Sequence, residues 1–359
     1  MRSFGSVLTP LLPLLALAAP CPAPLAAQET EAPAFDQLPD PDGKPANMRK
    51  KVQVFILMGQ SNMLGAGNIG PAEKPGTLTH AVQQENLYPF LVDDDGHWTV
   101  RQDVRNVRVM SHKGGMKVFT NEWMTITNAK IGPEIGIGHH LGNHLEEPVL
   151  ILKSCIGNRS LGWDLLPPGS ERVEQDGMVY AGYKDSPDKW EKGTEPKAIN
   201  WYAGKQYDDD VAHAKKVLED LKDYYPDAGG FEVAGFFWWQ GSKDCGNAVH
   251  AAQYEKNLVH LIGQLRKDFD APMAKFVCAT LGQTQKGAEG NEGLVLDAQL
   301  AVDGDAGRYP DFAGNVASVY SNPFCHGGSA NGHYGGNAKT YMDVGLAMGR
   351  AMVELLQRK

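Results

Sequence analysis

The sequence predicts a single parallel α/β domain in three layers, with helices on both faces of a central sheet. Two observations carry this expectation. Short apolar runs recur at residues 52–58, 148–153, 232–239, 275–281 and 315–320. Helical patterns lie at 132–145, 208–225, 250–268 and 341–356. Strands covered on both faces read as near-continuous apolar runs. Strands that alternate with helices need crossover connections, and these make the sheet parallel.

The first run, Val52-Gln53-Val54-Phe55-Ile56-Leu57-Met58, is β-branched and apolar, and it stops at Gly59-Gln60-Ser61-Asn62-Met63. That reads as a buried strand ending in a tight turn, with a helix beginning just beyond. The helix over 132–145 leads into the second run. The one over 208–225 places Val211, Ala214, Val217, Leu218 and Leu221 on one stripe. The one over 250–268 does the same with Leu258, Leu261, Ile262 and Leu265, and the pattern over 341–356 closes the domain. Two regions stand outside the alternation. Residues 64–130 contain a hairpin pattern, 88–92 and 97–101 around Asp93-Asp94-Asp95-Gly96. Residues 163–205 are rich in Pro, Gly, Lys and Asp, and an insertion of this kind at a sheet edge builds a substrate site or a lid.

The chain has 359 residues, 42% of them hydrophobic, and a formal net charge of -9. That length supports a large core. The acidic balance argues against nucleic acid or an anionic membrane as partner. Residues 1–27 read as a secretory signal: Met1-Arg2, an apolar run over 7–19, and a terminal Leu25-Ala26-Ala27. The run is too short and proline-broken to span a membrane. Cys21 follows Pro20, a poor context for a lipid anchor. Residues 28–50, rich in Pro, Asp and Glu, read as a disordered tether, and 51–359 as the domain. The expected location is secreted or periplasmic, with no membrane contact after signal removal. Cleavage leaves Cys155, Cys245, Cys278 and Cys325. An exported protein with an even count is able to form disulfides, although Cys278 sits in an apolar run as a buried thiol would. There is no Cys-x-x-Cys or His-Glu-x-x-His. His140 and His144 are spaced i, i+4 beside His139 but have no third ligand nearby, so neither metal nor cofactor is expected.

Ser61 stands where open α/β sheets place their ligands, at the C-terminal end of a strand. Ser and Asn also cap helices, so the turn by itself allows a structural role. A nucleophile needs a base, and the loop before the last helix carries His326 and His333. Acyl transfer also needs donors for an oxyanion. Ser154-Cys155-Ile156-Gly157-Asn158-Arg159 follows the second strand and offers the Gly157 N–H; Trp238-Trp239-Gln240-Gly241 follows the third and offers the Gln240 amide. Met63 breaks the Gly-x-Ser-x-Gly elbow of α/β-hydrolases.

These blocks resemble the SGNH hydrolases, and within them the sialate O-acetylesterase and acetylxylan-esterase branch (carbohydrate esterase family 6-like). The resemblance rests on Gly59-Gln60-Ser61-Asn62-Met63, the block from Gly157 to Leu161 with Trp163, Trp238-Trp239-Gln240-Gly241, and His333. It runs from about residue 52 to residue 352. It implies a flavodoxin-like three-layer fold and metal-free removal of acetyl groups from carbohydrate. By position it makes Ser61 the nucleophile and His333 the base, with the Ser61 N–H, Gly157 and Gln240 as oxyanion donors. Gln60, Asn62, Asn158 and Trp239 become substrate or supporting positions. Two departures bear on the triad acid. Ser242 follows Gly241 where relatives often have Glu, and Ala330 stands three residues before His333 where many have Asp. Asp244 and Glu134 are the remaining candidates, and a Ser61–His333 dyad is a third arrangement. Two rivals stand beside the esterase: an exported carbohydrate-binding protein that turns over weakly, and an esterase acting on a non-sugar ester. Trp163, Trp190, Trp201, Trp238 and Trp239 would stack on sugars or fill the core.

Overall fold

The computed structural model describes residues 1, 38–127 and 129–358. The signal segment and the first part of the tether lie outside the described residues. Residues 38–50, expected as tether, contain no helix or strand but are anchored: Leu38 packs on the core and the Asn143 amide donates to the Pro39 carbonyl.

The elements run β1 (Val52–Gly59), α1 (Ser61–Leu64), β2 (Gly67–Asn68), α2 (Leu78–Gln83), β3 (Arg101–His112), β4 (Gly115–Met124), β5 (Lys130–Ile131), α3 (Glu134–His144) and β6 (Val149–Ser154). Then follow β7 (Val173–Gln175), β8 (Met178–Tyr180), β9 (Lys189–Glu191), α4 (Lys205–Glu219), α5 (Leu221–Tyr224), β10 (Phe231–Trp239) and α6 (Ala248–Asp268). The chain ends with β11 (Lys275–Ala279), α7 (Gly290–Ala301), β12 (Val316–Val319) and α8 (Ala338–Gln357). The main sheet has seven strands in the order β12-β11-β10-β1-β6-β3-β4. Every pairing in it is parallel except β3 with β4. This is the three-layer α/β/α fold that the sequence predicts.

Side chains of successive strand residues point to opposite faces, and the core divides accordingly. Val54, Ile56 and Met58 of β1, with Phe236 and Trp238 of β10, face α4, α6 and α7. Phe55 and Leu57, with Phe237 and Trp239, face α3 and α8. Leu258, Leu261, Ile262 and Leu265 of α6 are fully buried, as their spacing requires. Asn247 starts that helix by accepting from the N–H groups of Val249 and His250.

Three features depart from expectation. The hairpin pattern over 88–101 yields a short 3-10 turn at Pro89–Leu91 and a single bridge between Val92 and Trp98. The real hairpin is β3–β4, which extends the sheet beyond β6. Helix α7 links β11 to β12, and the insertion forms its own antiparallel sheet, β7-β8-β9. All four cysteines among the described residues are free thiols.

Candidate active site

The loops leaving the C-terminal ends of β1, β6, β10 and β12 meet around one cavity of about 990 Å³. Ser61, Gly157, Asn158 and His333 all line it. The insertion supplies Trp163, Asp164 and Asp188 to its lining. The topology therefore brings a serine and a histidine 272 residues apart to one surface, since the segments leaving the C-terminal ends of parallel strands share one edge of the sheet.

Ser61 is the first residue of the one-turn helix α1. Its N–H is one of the amides that have no intrahelical acceptor. The turn depends on Gly59, whose φ is +145°. A Cβ there would sit 2.4 Å from the Trp239 carbonyl oxygen, so only glycine lets β1 and β10 approach this closely. Gly157 lies directly over the serine: a Cβ at 157 would be 3.4 Å from Ser61 Cβ. Asn62 is buried and does not face the cavity. Its amide donates to the Ala330 carbonyl and its oxygen accepts from the Tyr341 hydroxyl, which ties the serine turn to the histidine loop. His333 has a φ of +51°, in the left-handed region. The ring of Tyr334 beside it stacks on Trp239 at 5.9 Å between centroids. Trp239 is 1% exposed and donates to the Thr280 carbonyl, so it supports this loop from the core and does not reach the cavity.

The two acids proposed for the triad sit elsewhere. Asp244 accepts from the N–H groups of Leu161 (2.9 Å) and Gly162 (2.8 Å) and from Gln240 Nε2 (2.6 Å). It thus joins the loop after β6 to the loop after β10. Burial pushes its carboxyl up to about 6. Glu134 accepts from Lys153 Nζ and the Gly132 N–H, and that lysine also donates to the Leu64 carbonyl beneath the serine turn. Among the described residues, none hydrogen-bonds the His333 ring.

Gln240 also differs from its expected role. Its Nε2 has the Arg159 carbonyl (2.9 Å), Asp244 and Gln60 Oε1 (3.2 Å) as acceptors, and its Oε1 accepts from the Tyr254 hydroxyl. With every donor engaged, it lies behind the cavity wall. His140 and His144 do not pair: burial pushes His140 down to about 4, and His144 contacts Gln357. Asp188, Lys243, Glu292, Ser329 and Asn331 line the cavity without having been singled out in the sequence. Four of them lie in irregular loops, where no periodicity marks them, and Glu292 is in the first turn of α7.

A family model described as carbohydrate esterase, sialic acid-specific acetylesterase, matches residues 51–309. No curated protein matches the sequence. Among solved structures, a protein from Arabidopsis thaliana is similar with a TM-score of 0.49 and 17% identity, over 88% of this chain and 100% of that one. A novel carbohydrate acetylesterase from Xanthomonas citri has a TM-score of 0.45 and 14% identity, over 84% of this chain and 56% of that one. NanS has a TM-score of 0.40 and 15% identity, over 77% and 78%. The family match covers β1 through α7, and on that ground the chain belongs to the carbohydrate esterases of the sialic acid-specific acetylesterase family.

Proposed function

We propose that this protein removes O-acetyl groups from carbohydrate through a serine acyl-enzyme, with Ser61 as nucleophile and His333 as base. The observation that supports it best is the shared cavity: Ser61, Gly157 and His333 line one space at the C-terminal edge of the sheet. Ser61 Oγ attacks the acetyl carbonyl carbon while His333 takes the hydroxyl proton. The N–H groups of Ser61 and Gly157 face the oxygen that becomes negative. His333 then returns the proton to the sugar oxygen as the C–O bond breaks, leaving an acetyl ester on Ser61. Water deprotonated by His333 attacks the acyl carbon, the bond to Ser61 Oγ breaks as His333 returns the proton to that oxygen, and acetate leaves. Export by the N-terminal signal is part of the same reading.

The cavity's charge narrows the substrate. Asp164 in its described lining is ion-paired to Arg159 at 4.0 Å, which leaves Asp188 and Glu292 against Lys243. Such a surface favours a neutral acetylated saccharide over one bearing a carboxylate. A weakly active carbohydrate-binding protein is the second reading, and the His333 ring, which no described residue hydrogen-bonds, favours it, because an imidazole without an orienting acceptor is a poorer base. Acetate release from a panel of acetylated glycans decides between them. The esterase reading expects turnover that Ser61→Ala abolishes, and glycan binding without acetate release would support the second reading.

A further inference from the structure

Gln60, between the glycine and the serine of the first turn, carries an amide nitrogen that the fold leaves without an acceptor. Its backbone is fixed: the N–H donates to the Trp239 carbonyl at 3.3 Å and the carbonyl accepts from the Leu64 N–H at 3.0 Å. The residue is only 5% exposed. Its Oε1 accepts from the Gly241 N–H (3.4 Å), the Lys243 N–H (3.3 Å) and Gln240 Nε2 (3.2 Å). Two of these three donors are backbone N–H groups, which can only donate, so the orientation of the amide is determined. Nε2 is therefore the end turned away from this cluster. Among the described residues nothing accepts from it, and Gln60 lines the cavity beside Ser61, Gly157 and His333. The residue is held in place by its oxygen while Nε2 stays open to the cavity, so this nitrogen is positioned to donate to what the cavity holds.

The neighbouring glutamine strengthens the case. The two N–H bonds of the Gln240 amide are shared among Asp244 (2.6 Å), the Arg159 carbonyl (2.9 Å) and Gln60 Oε1 (3.2 Å), so none is left for a ligand. It behaves as a bracket: Asp244 holds Gln240, and Gln240, with two backbone amides, holds the oxygen of Gln60. We propose that Gln60 Nε2, and not Gln240, is the side-chain donor to the acyl oxygen of the substrate, completing an oxyanion hole with the N–H groups of Ser61 and Gly157. Gln60 transfers no proton. It shortens its hydrogen bond as the carbonyl oxygen gains charge and lengthens it again when the C–O bond to the sugar breaks. This rests on the serine acyl-enzyme reading above.

Gln60→Glu tests it with little change of shape, because one carboxylate oxygen still accepts from Gly241 and Lys243 while the other replaces the donor. The expected result, on an acetylated glycan at about pH 8, is a kcat lower by on the order of 10²–10³-fold with KM changed by less than about threefold. The thermal midpoint stays near that of the wild type. As the pH falls towards about 5, the ratio of variant to wild-type kcat rises, because a protonated carboxyl donates again. A purely structural role would not move that ratio. Gln60→Ala, which removes the donor without adding charge, gives a comparable kcat loss and no such pH dependence. A kcat within about threefold of wild type in Gln60→Ala, with Ser61→Ala inactive, overturns the Gln60 assignment alone. A Ser61→Ala variant that still turns over removes the serine reading and this inference together.

Discussion

Asp244 accepts three hydrogen bonds, from Leu161, Gly162 and Gln240, and none from His333. It is best described as a positioning residue that keeps two strand-end loops in register. Asp244→Asn keeps one acceptor and turns an amide N–H₂ towards groups that are themselves donors. The expected cost is about 1–3 kcal/mol of stability, the penalty for buried polar groups left unpaired. It is read as a lower denaturation midpoint together with a fall in kcat. A variant with wild-type midpoint and turnover would show that the bracket is dispensable. The two histidines separate as cleanly. His326 exchanges both its backbone hydrogen bonds with the Thr340 hydroxyl and does not line the cavity, whereas His333 does. His333→Ala should lose on the order of 10³-fold in kcat, as removal of a catalytic base does, while His326→Ala keeps most of its turnover. Equal losses in steady-state assays would contradict the assignment. Ser61, Gly157 and His333 were legible in the sequence because each follows a strand that its own composition marks. The engagement of Gln240 was not, because two of its acceptors, on Arg159 and Gln60, come from other segments.

At the scale of elements, the link between α1 and the loop before α8 deserves a test of its own. Tyr341 on α8 donates to Asn62 at 3.1 Å, and Asn62 reaches back to Ala330. Tyr341→Phe removes the hydroxyl and leaves the ring against Trp239. The expected effect is a kcat loss on the order of tenfold with a small change in stability, since misplacing a catalytic pair is costlier for rate than for folding. Unchanged kcat would mean that Trp239 and Tyr334 alone fix the histidine loop. Strands β1, β6, β10, β11 and β12 were legible as apolar runs, but β3 was not. Its buried residues Val104, Val107 and Val109 alternate with Arg101, Asp103, Arg105 and Arg108, which read as solvent-facing. Arg101 pairs with Asp103, and Arg105 lies over the Trp123 ring at 5.2 Å. Helix α7 escaped for a different reason, because Gly290 and Gly293 interrupt its pattern.

For the molecule as a whole, the parallel sheet gathers chemistry at one edge and the insertion encloses it. The lining is acidic, and so is the chain, at a formal -9. Acetyl release from a neutral saccharide should therefore exceed release from an acetylated sugar acid by on the order of tenfold in kcat/KM at low salt, with the gap narrowing as ionic strength rises. A preference for the acid that weakens with salt would point to a cationic subsite and contradict the charge argument. The central claim, that Ser61 carries the acyl group, has the most direct test in covalent trapping. A fluorophosphonate added to the folded protein should increase its intact mass by one adduct, peptide mapping should place that adduct on Ser61, and Ser61→Ala should remain unlabelled under the same conditions. Stoichiometric labelling that persists in Ser61→Ala, or maps to another serine, would contradict it.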